Sequence, residues 1–368
     1  MKMRWLKLTL LALCLLLVCT ASSGCGFKDI DKRYFIVAMG IDYSGKKQNP
    51  YLITLRLAIA SPKIEPGAGK AQVETIEAAS IAEGVRMLKA HVDKELDFGH
   101  CKIFLIGERV AWKDYSPVLD WMKRRRDIQS IANLAIGKPD ARTILQINPM
   151  AERYPGNALF LSFGADGTDN PYTYIESLSD LSRRVMEQGL DPVIPIIRGE
   201  GSSGYIINRT ALLDKTKIKL VLKPEESQLF NQLAKNFEKS SIQGSFSSNR
   251  LVGAVSRIKS RYYFSDNNGK LQLNMDVRIK ALMEEAPSNL FEQSWGPVEK
   301  KLSADYSKST EKLLKKIQQA GVDPFGFGLR YRATHAGEAA WQQWQNIYPT
   351  LQIAVNARIK IEGTGLVK

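Results

Sequence analysis

Apolar residues follow three patterns along this chain, and each predicts a different kind of element. At the start they run almost unbroken, from Leu8 to Cys19 (LTLLALCLLLVC). That run is about a dozen residues, short of the roughly 20 that a membrane-spanning helix needs. Lys2, Arg4 and Lys7 precede it, and the small residues Ala21-Ser22-Ser23-Gly24 lead from it to Cys25. A cationic start, an apolar middle and a small-residue end make an export signal. The second pattern is alternation. Arg33–Ile41 (RYFIVAMGI) and Tyr51–Ala58 (YLITLRLA) read as strands, and the polar, glycine-containing turn at Asp42–Lys46 makes them a hairpin. Leu271–Ile279 (LQLNMDVRI) alternates strictly, as do Leu351, Ile353, Val355, Ala357, Ile359 and Ile361. Such strands bury one face and wet the other, the habit of antiparallel or mixed sheets.

The third pattern is helical spacing. Ile81, Val85, Leu88 and Val92 recur at that period behind Ser80 and Glu83, which form a capping box. A second helix covers Tyr115–Arg126, between strands at Lys102–Ile106 and within Ile128–Ile136. A third covers Ser177–Gln188 and is stopped by Gly189. The longest runs from Pro297 to Ala320, with Val298, Leu302, Tyr306, Leu313 and Ile317 on one face and Gly321 after its end. Between these elements, residues 61–72 and 153–172 are rich in Gly and Pro and read as loops, the second long and mobile. Gly199–Gly204 (GEGSSG) reads as a linker. The fold class is therefore α+β, multi-domain, with mixed or antiparallel sheets and helices packed on them. Residues 1–24 are the signal peptide, 25–198 an N-terminal α+β region of one or two domains, and 199–368 a C-terminal α+β domain.

Cys25 is the candidate site of lipid attachment, because small residues before a cysteine suit a lipoprotein-processing peptidase. Ser22 stands where such signals usually carry Leu, and Cys19 is a weaker candidate because bulky Val18 precedes it. An ordinary cleaved signal followed by a free cysteine is the alternative. Two acyl chains on Cys25 would hold the chain stably on a bilayer, at about 0.8 kcal/mol per buried CH₂. Of the other cysteines, Cys14 and Cys19 leave with the signal and Cys101 stands alone, so no intramolecular disulfide is expected.

Net charge is +14, of which the signal contributes three positive charges. Export argues against a nucleic-acid partner and favours anionic lipid headgroups. The densest cluster, Lys123-Arg124-Arg125-Arg126, either complements the dipole of the helix it ends or touches a membrane or partner.

Catalytic and cofactor motifs are not found. Gly69-Lys70 fails as a phosphate loop, since Ile64 and Ala71 stand where Gly and Ser or Thr are required. Gly326-Phe327-Gly328 lacks the third glycine of a dinucleotide motif and follows a helix. His91, His100 and His335 show no metal-ligand spacing. His100-Cys101 looks like a base beside a nucleophile, but adjacent strand residues point to opposite faces, and Cys101 reads as a small core residue. No catalytic residue, cofactor or metal site is expected. Phe325, Phe327, Trp341 and Trp344 are expected to pack together at a glycine-rich corner, or alternatively to line an aromatic ligand pocket.

The stretch Asp323–Gly365 (DPFGFGLRYRATHAGEAAWQQWQNIYPTLQIAVNARIKIEGTG) resembles the C-terminal signature of the Ger(x)C spore germination lipoproteins. An acidic residue precedes F-G-x-G, a tryptophan-containing helix follows, then Tyr348-Pro349 and an alternating strand. Upstream, Gly40-Ile41-Asp42, Phe98-Gly99-His100-Cys101-Lys102 and Ile106-Gly107-Glu108 match further family motifs, and Cys25 occupies the position of the family's lipidated cysteine. The likeness is loosest over 199–265, where Asn208–Leu213 only partly follows the pattern. The resemblance implies three α+β domains and a non-enzymatic C subunit of a nutrient germinant receptor. Such a subunit is lipid-held on the outer leaflet of the spore inner membrane. It works there with a multispanning A subunit and a permease-like B subunit. The competing reading is a lipid-anchored substrate-binding protein of a membrane transporter, which needs a deep inter-domain cleft. An exported hydrolase is a third.

Overall fold

A computed structural model describes residues 32–59, 70–149, 159–163, 170–201, 204–291, 294–335, 337 and 339–363, with scattered positions between 3 and 13. Two sheets organise the unit Tyr34–Lys368. The first contains β1 (Arg33–Tyr43), β2 (Tyr51–Ile59), β3 (Lys70–Ala78), β4 (Glu95–Asp97), β5 (Ile103–Gly107), β6 (Asn133–Lys138), β7 (Val193–Glu200), β8 (Gly204–Leu213) and β9 (Ile218–Val221). Its order is β3-β2-β1-β5-β6-β7-β8-β9, with β4 on β1. The expected β1–β2 hairpin forms, pairing Tyr43 with Tyr51. β1, β5, β6 and β7 run parallel, with helices as crossovers.

Central β5 is buried at every residue, which is why it reads as a continuous apolar run. Phe104 and Ile106 face α1 (Ile81–Leu88), α3 (Ser116–Arg124) and α5 (Leu178–Met186), while α2 (Glu108–Lys113) packs in the same core. Ile103 and Leu105 face α4 (Ala141–Gln146) on the other side. The Ser80 hydroxyl accepts the Glu83 N–H at 3.2 Å, starting α1 as expected.

Three sequence expectations change. β3 begins at Lys70, inside the segment read as a loop, and residues 61–69 of that loop lie outside the described residues. Of the loop expected over 153–172, Leu159 and Phe163 are core residues against α4, while most of the rest lies outside the described residues. Gly199–Gly204 is not a linker between separate bodies but the tip of the β7–β8 hairpin, with Glu200 opposite Gly204. A tight turn and a linker share the same glycine-rich composition.

Helix α6 (Pro224–Lys235) leads into the second sheet, formed by β10 (Ser241–Phe246), β11 (Asn249–Asn267), β12 (Lys270–Glu285) and β13 (Gln352–Gly363). β10, β11 and β12 are an antiparallel meander, and β13 returns parallel to β12. The crossover carries α7 (Ser288–Phe291), α8 (Gly296–Gln319), α9 (Phe327–Thr334) and α10 (Ala340–Ile347). Val298, Leu302, Leu313 and Ile317 are buried along α8, with Tyr306 partly so.

α8 also covers the edge of the sheet. The Ile359 N–H donates to Ser303 Oγ and the Ala357 N–H to Ser307 Oγ, each at 2.9 Å, and the Ile361 N–H donates to Glu299 Oε1 at 2.9 Å. Four helical residues rise about 6.0 Å and two strand residues about 6.6 Å, so the two rows stay in step. Three N–H groups of β13 are thereby denied to another chain. Tyr174, Val193, Leu212, Phe230, Leu313 and Ile317 form a shared cluster, so α6 and α8 pack against strands of the first sheet as well.

Candidate functional site

Polar groups converge where the turn after α8 meets the turn after α5. Asp323 is 4% exposed, and its carboxylate accepts the N–H groups of Gly326, Phe327 and Gly328 at 2.9, 3.0 and 2.6 Å. It thus satisfies the free donors at the start of α9. Burial pushes its pKa up to about 7, against the opposing pull of those three N–H groups. The Asp323 N–H in turn donates to Asp191 Oδ2 at 2.7 Å, and the Asp191 N–H to the Asp323 carbonyl at 2.8 Å. Lys215 closes the neighbouring helix end. Its Nζ donates to the carbonyls of Arg184, Glu187 and Leu190 and lies 3.1 Å from Asp191 Oδ1.

Gly328 and Gly189 are required here by close approach. A Cβ on Gly328 would lie 2.4 Å from Trp344 Nε1, and one on Gly189 would lie 2.5 Å from the Leu329 nitrogen. Gly189 also has φ of +80°, which only glycine adopts freely. Behind them Arg184 donates to the carbonyls of Asp191 and Pro324, both at 2.9 Å, and pairs with buried Glu176. Burial raises the Glu176 pKa, and the Arg184 guanidinium opposes that rise.

The expected aromatic grouping is present but divided. Phe325 stacks on Phe327 at 5.3 Å, and Phe325 also meets Phe230. Trp344 stacks with Tyr348 at 5.2 Å and lies tilted against Tyr331 at 5.3 Å. Beside this wall lies a cavity of about 340 Å³, lined by Asp191, Asp214, Lys215, Trp341, Trp344 and Tyr348 among others. Its carboxylates are engaged: Asp214 Oδ1 accepts from Thr216 and Lys217, and Asp191 and Asp323 accept as described. The corner is built to hold two chain turns together, and it presents no nucleophile beside a base.

The other sequence-marked residues resolve individually. Cys101 is buried, its thiol sits 3.6 Å from the Ile103 carbonyl, and burial pushes its pKa far above the ordinary thiol range. His100 is exposed and lies edge-on against Phe35, with ring centroids 4.7 Å apart. His335 stacks on Tyr331. Among the described residues, no group of three or more His, Cys, Asp or Glu could hold a metal ion. Asp42 accepts the N–H groups of Ala141 and Arg142 at 2.8 and 2.9 Å, capping α4, and burial raises its pKa to about 6. Gly40 lets α4 approach β1, since a Cβ there would lie 2.8 Å from Ala141 Cβ. Cys25 lies outside the described residues. Among those described, no helix is long and apolar enough to cross a membrane.

Comparison with known proteins gives these motifs a common origin. The family described as "Spore germination protein N-terminal domain" matches residues 26–199, and "Spore germination B3/ GerAC like, C-terminal" matches residues 208–365. The chain belongs to the Ger(x)C spore germination family. Spore germination protein KC of Bacillus subtilis (strain 168) is 24% identical over 97% of this chain and 96% of its own length. Spore germination protein GerQC of Bacillus cereus is 22% identical, over 82% and 85% respectively. The crystal structure of the GerBC protein shares the fold with a TM-score of 0.57 at 14% identity, covering 88% of this chain and 97% of that one. The fold is α+β as expected. In this Ger(x)C protein Asp42 of G-I-D and Asp323, which precedes F-G-x-G, both cap a helix, with tight glycine contacts beside each. The Glu299, Ser303 and Ser307 row was not anticipated; its only sequence signal is polar residues four apart on an otherwise amphipathic helix.

Proposed function

We propose that this chain is a lipid-anchored, non-enzymatic C subunit of a nutrient germinant receptor. In this reading it is held by acylated Cys25 on the outer leaflet of the spore inner membrane, beside multispanning A and B subunits. The observation that carries the reading is the start of the family match at residue 26, directly after the cysteine that follows the export signal. The engaged carboxylates of the Asp323 corner and the inert thiol of Cys101 support a role in assembly and signalling rather than catalysis. Mass spectrometry of the mature protein, purified from spore membranes in mild detergent, tests it. An N-terminal diacylglyceryl-Cys25 peptide, with co-elution of two multispanning subunits, is the expected result. An unmodified terminus, or a chain eluting alone, contradicts the proposal.

A further inference from the structure

The parallel strands β1, β5 and β6 all begin at one edge of the first sheet. The chain enters β1 at Arg33, eight residues after Cys25, and eight residues span at most about 29 Å. That length is the furthest that Arg33, at the start of β1, can lie from Cys25. The far end of β1 lies a further ten residues along the strand, roughly 33 Å.

The same edge carries the end of α3 and the segment that enters β6. Lys123, Arg124 and Arg126 are exposed there, and Ile131 is 71% exposed. The segment is firmly held. Ile128 and Ala132 are core residues, and the carbonyls of Ser130 and Ala132 accept the N–H groups of Ser179 and Leu178 at 2.9 and 2.8 Å. Arg125 is used internally, paired with Asp127 and lying over the Phe98 and Trp121 rings. Asp120 lies 3.8 Å from Lys123, while Arg124 and Arg126 have no ion pair among the described residues. A rigid segment thus presents two free guanidinium groups and one solvated branched side chain, and none of the three packs in the core.

Resting on the lipid-anchor reading, we infer that this edge docks on the anionic bilayer surface. Arg124 and Arg126 engage headgroup phosphates, and Ile131 enters the acyl boundary between them. Guanidinium matches phosphate bidentately, and each basic residue near such a surface favours partitioning about fivefold. Docking would fix which face of the protein looks away from the membrane, towards partner subunits.

The test uses the processed, lipidated chain in vesicles of phosphatidylcholine with or without phosphatidylglycerol. Ile131→Cys is labelled with an environment-sensitive fluorophore, and Lys47→Cys, exposed in the turn after β1, serves as the distal control. Buried Cys101 is shielded from the label. The expected result is a blue shift at position 131 on phosphatidylglycerol vesicles only. It should be absent at position 47 and lost in Arg124→Glu/Arg126→Glu. A probe at 131 that stays water-like while the chain floats with the vesicles overturns the docking face and leaves the anchor intact. A chain that floats with neither vesicle overturns both.

Discussion

Ser303→Ala with Ser307→Ala tests how α8 holds the edge of the second sheet. Each hydroxyl does two things: it donates to the carbonyl one turn back, at 2.6 and 2.8 Å, and accepts a β13 N–H at 2.9 Å. The first bond points the oxygen lone pairs at the strand. Alanine keeps the helix but leaves the N–H groups of Ile359 and Ala357 without acceptors. A buried N–H left unpaired costs about 1–3 kcal/mol, and these sites are half-buried, so about 1–2 kcal/mol each is appropriate. Alanine's better helix propensity returns about 0.5 kcal/mol per site. The net loss is about 1–3 kcal/mol, read from urea unfolding of the purified protein, with faster hydrogen exchange at Ile359 and Ala357. Ser309→Ala, exposed on the same helix, should instead be neutral or slightly stabilising. If the double variant matches Ser309→Ala in stability and exchange, the hydroxyls do not serve the strand.

Gly189→Ala should destabilise by at least about 3 kcal/mol, because positive φ and backbone atoms at 2.5 and 2.6 Å both oppose a Cβ. Gly45→Ala, at φ +85° in open space, should lose only about 1 kcal/mol, so the difference in thermal unfolding isolates the contact with α9. Asp42 has a folded pKa of about 6 against 3.8, so the native state keeps a proton that the unfolded chain releases. Its contribution is fully present below about pH 4 and is lost as pH rises through 6, about 3 kcal/mol in all. The stability difference between the wild type and Asp42→Asn should therefore fall by most of that amount, about 2.4 kcal/mol, between pH 4 and 7; a constant difference contradicts the buried carboxyl.

Elements whose burial is apolar and regular are legible in the sequence. The β1–β2 hairpin, α1 behind Ser80, α8 and the alternating β12 and β13 fall in this class. α6 escapes the apolar pattern because its buried face mixes Phe230 and Leu233 with hydrogen-bonded polar residues: Ser227 accepts the Thr210 N–H, Asn231 donates to the Pro171 and Thr173 carbonyls, and Gln232 donates to Ser240 and Ser241. Hydrophobic periodicity is blind to a face satisfied by hydrogen bonds. β3 escapes notice because residues 72–77 are partly exposed at the sheet edge and KAQVETIEA shows no apolar stripe. The Asp42 cap joins residues 99 apart and the Asp191–Asp323 contact residues 132 apart, separations that local pattern cannot register. The aromatic corner was legible as a cluster, whereas its role in joining α9 to the α5 turn needed the glycine contacts.

Cys25→Ala in the native host is the most direct measurement of the central claim. Spore membranes from the variant should lose the chain, and nutrient-triggered germination should fall with it, while wild-type spores keep both. Unchanged membrane retention of the variant would contradict lipid anchoring at Cys25. Loss from the membrane with normal germination would contradict an anchored receptor role.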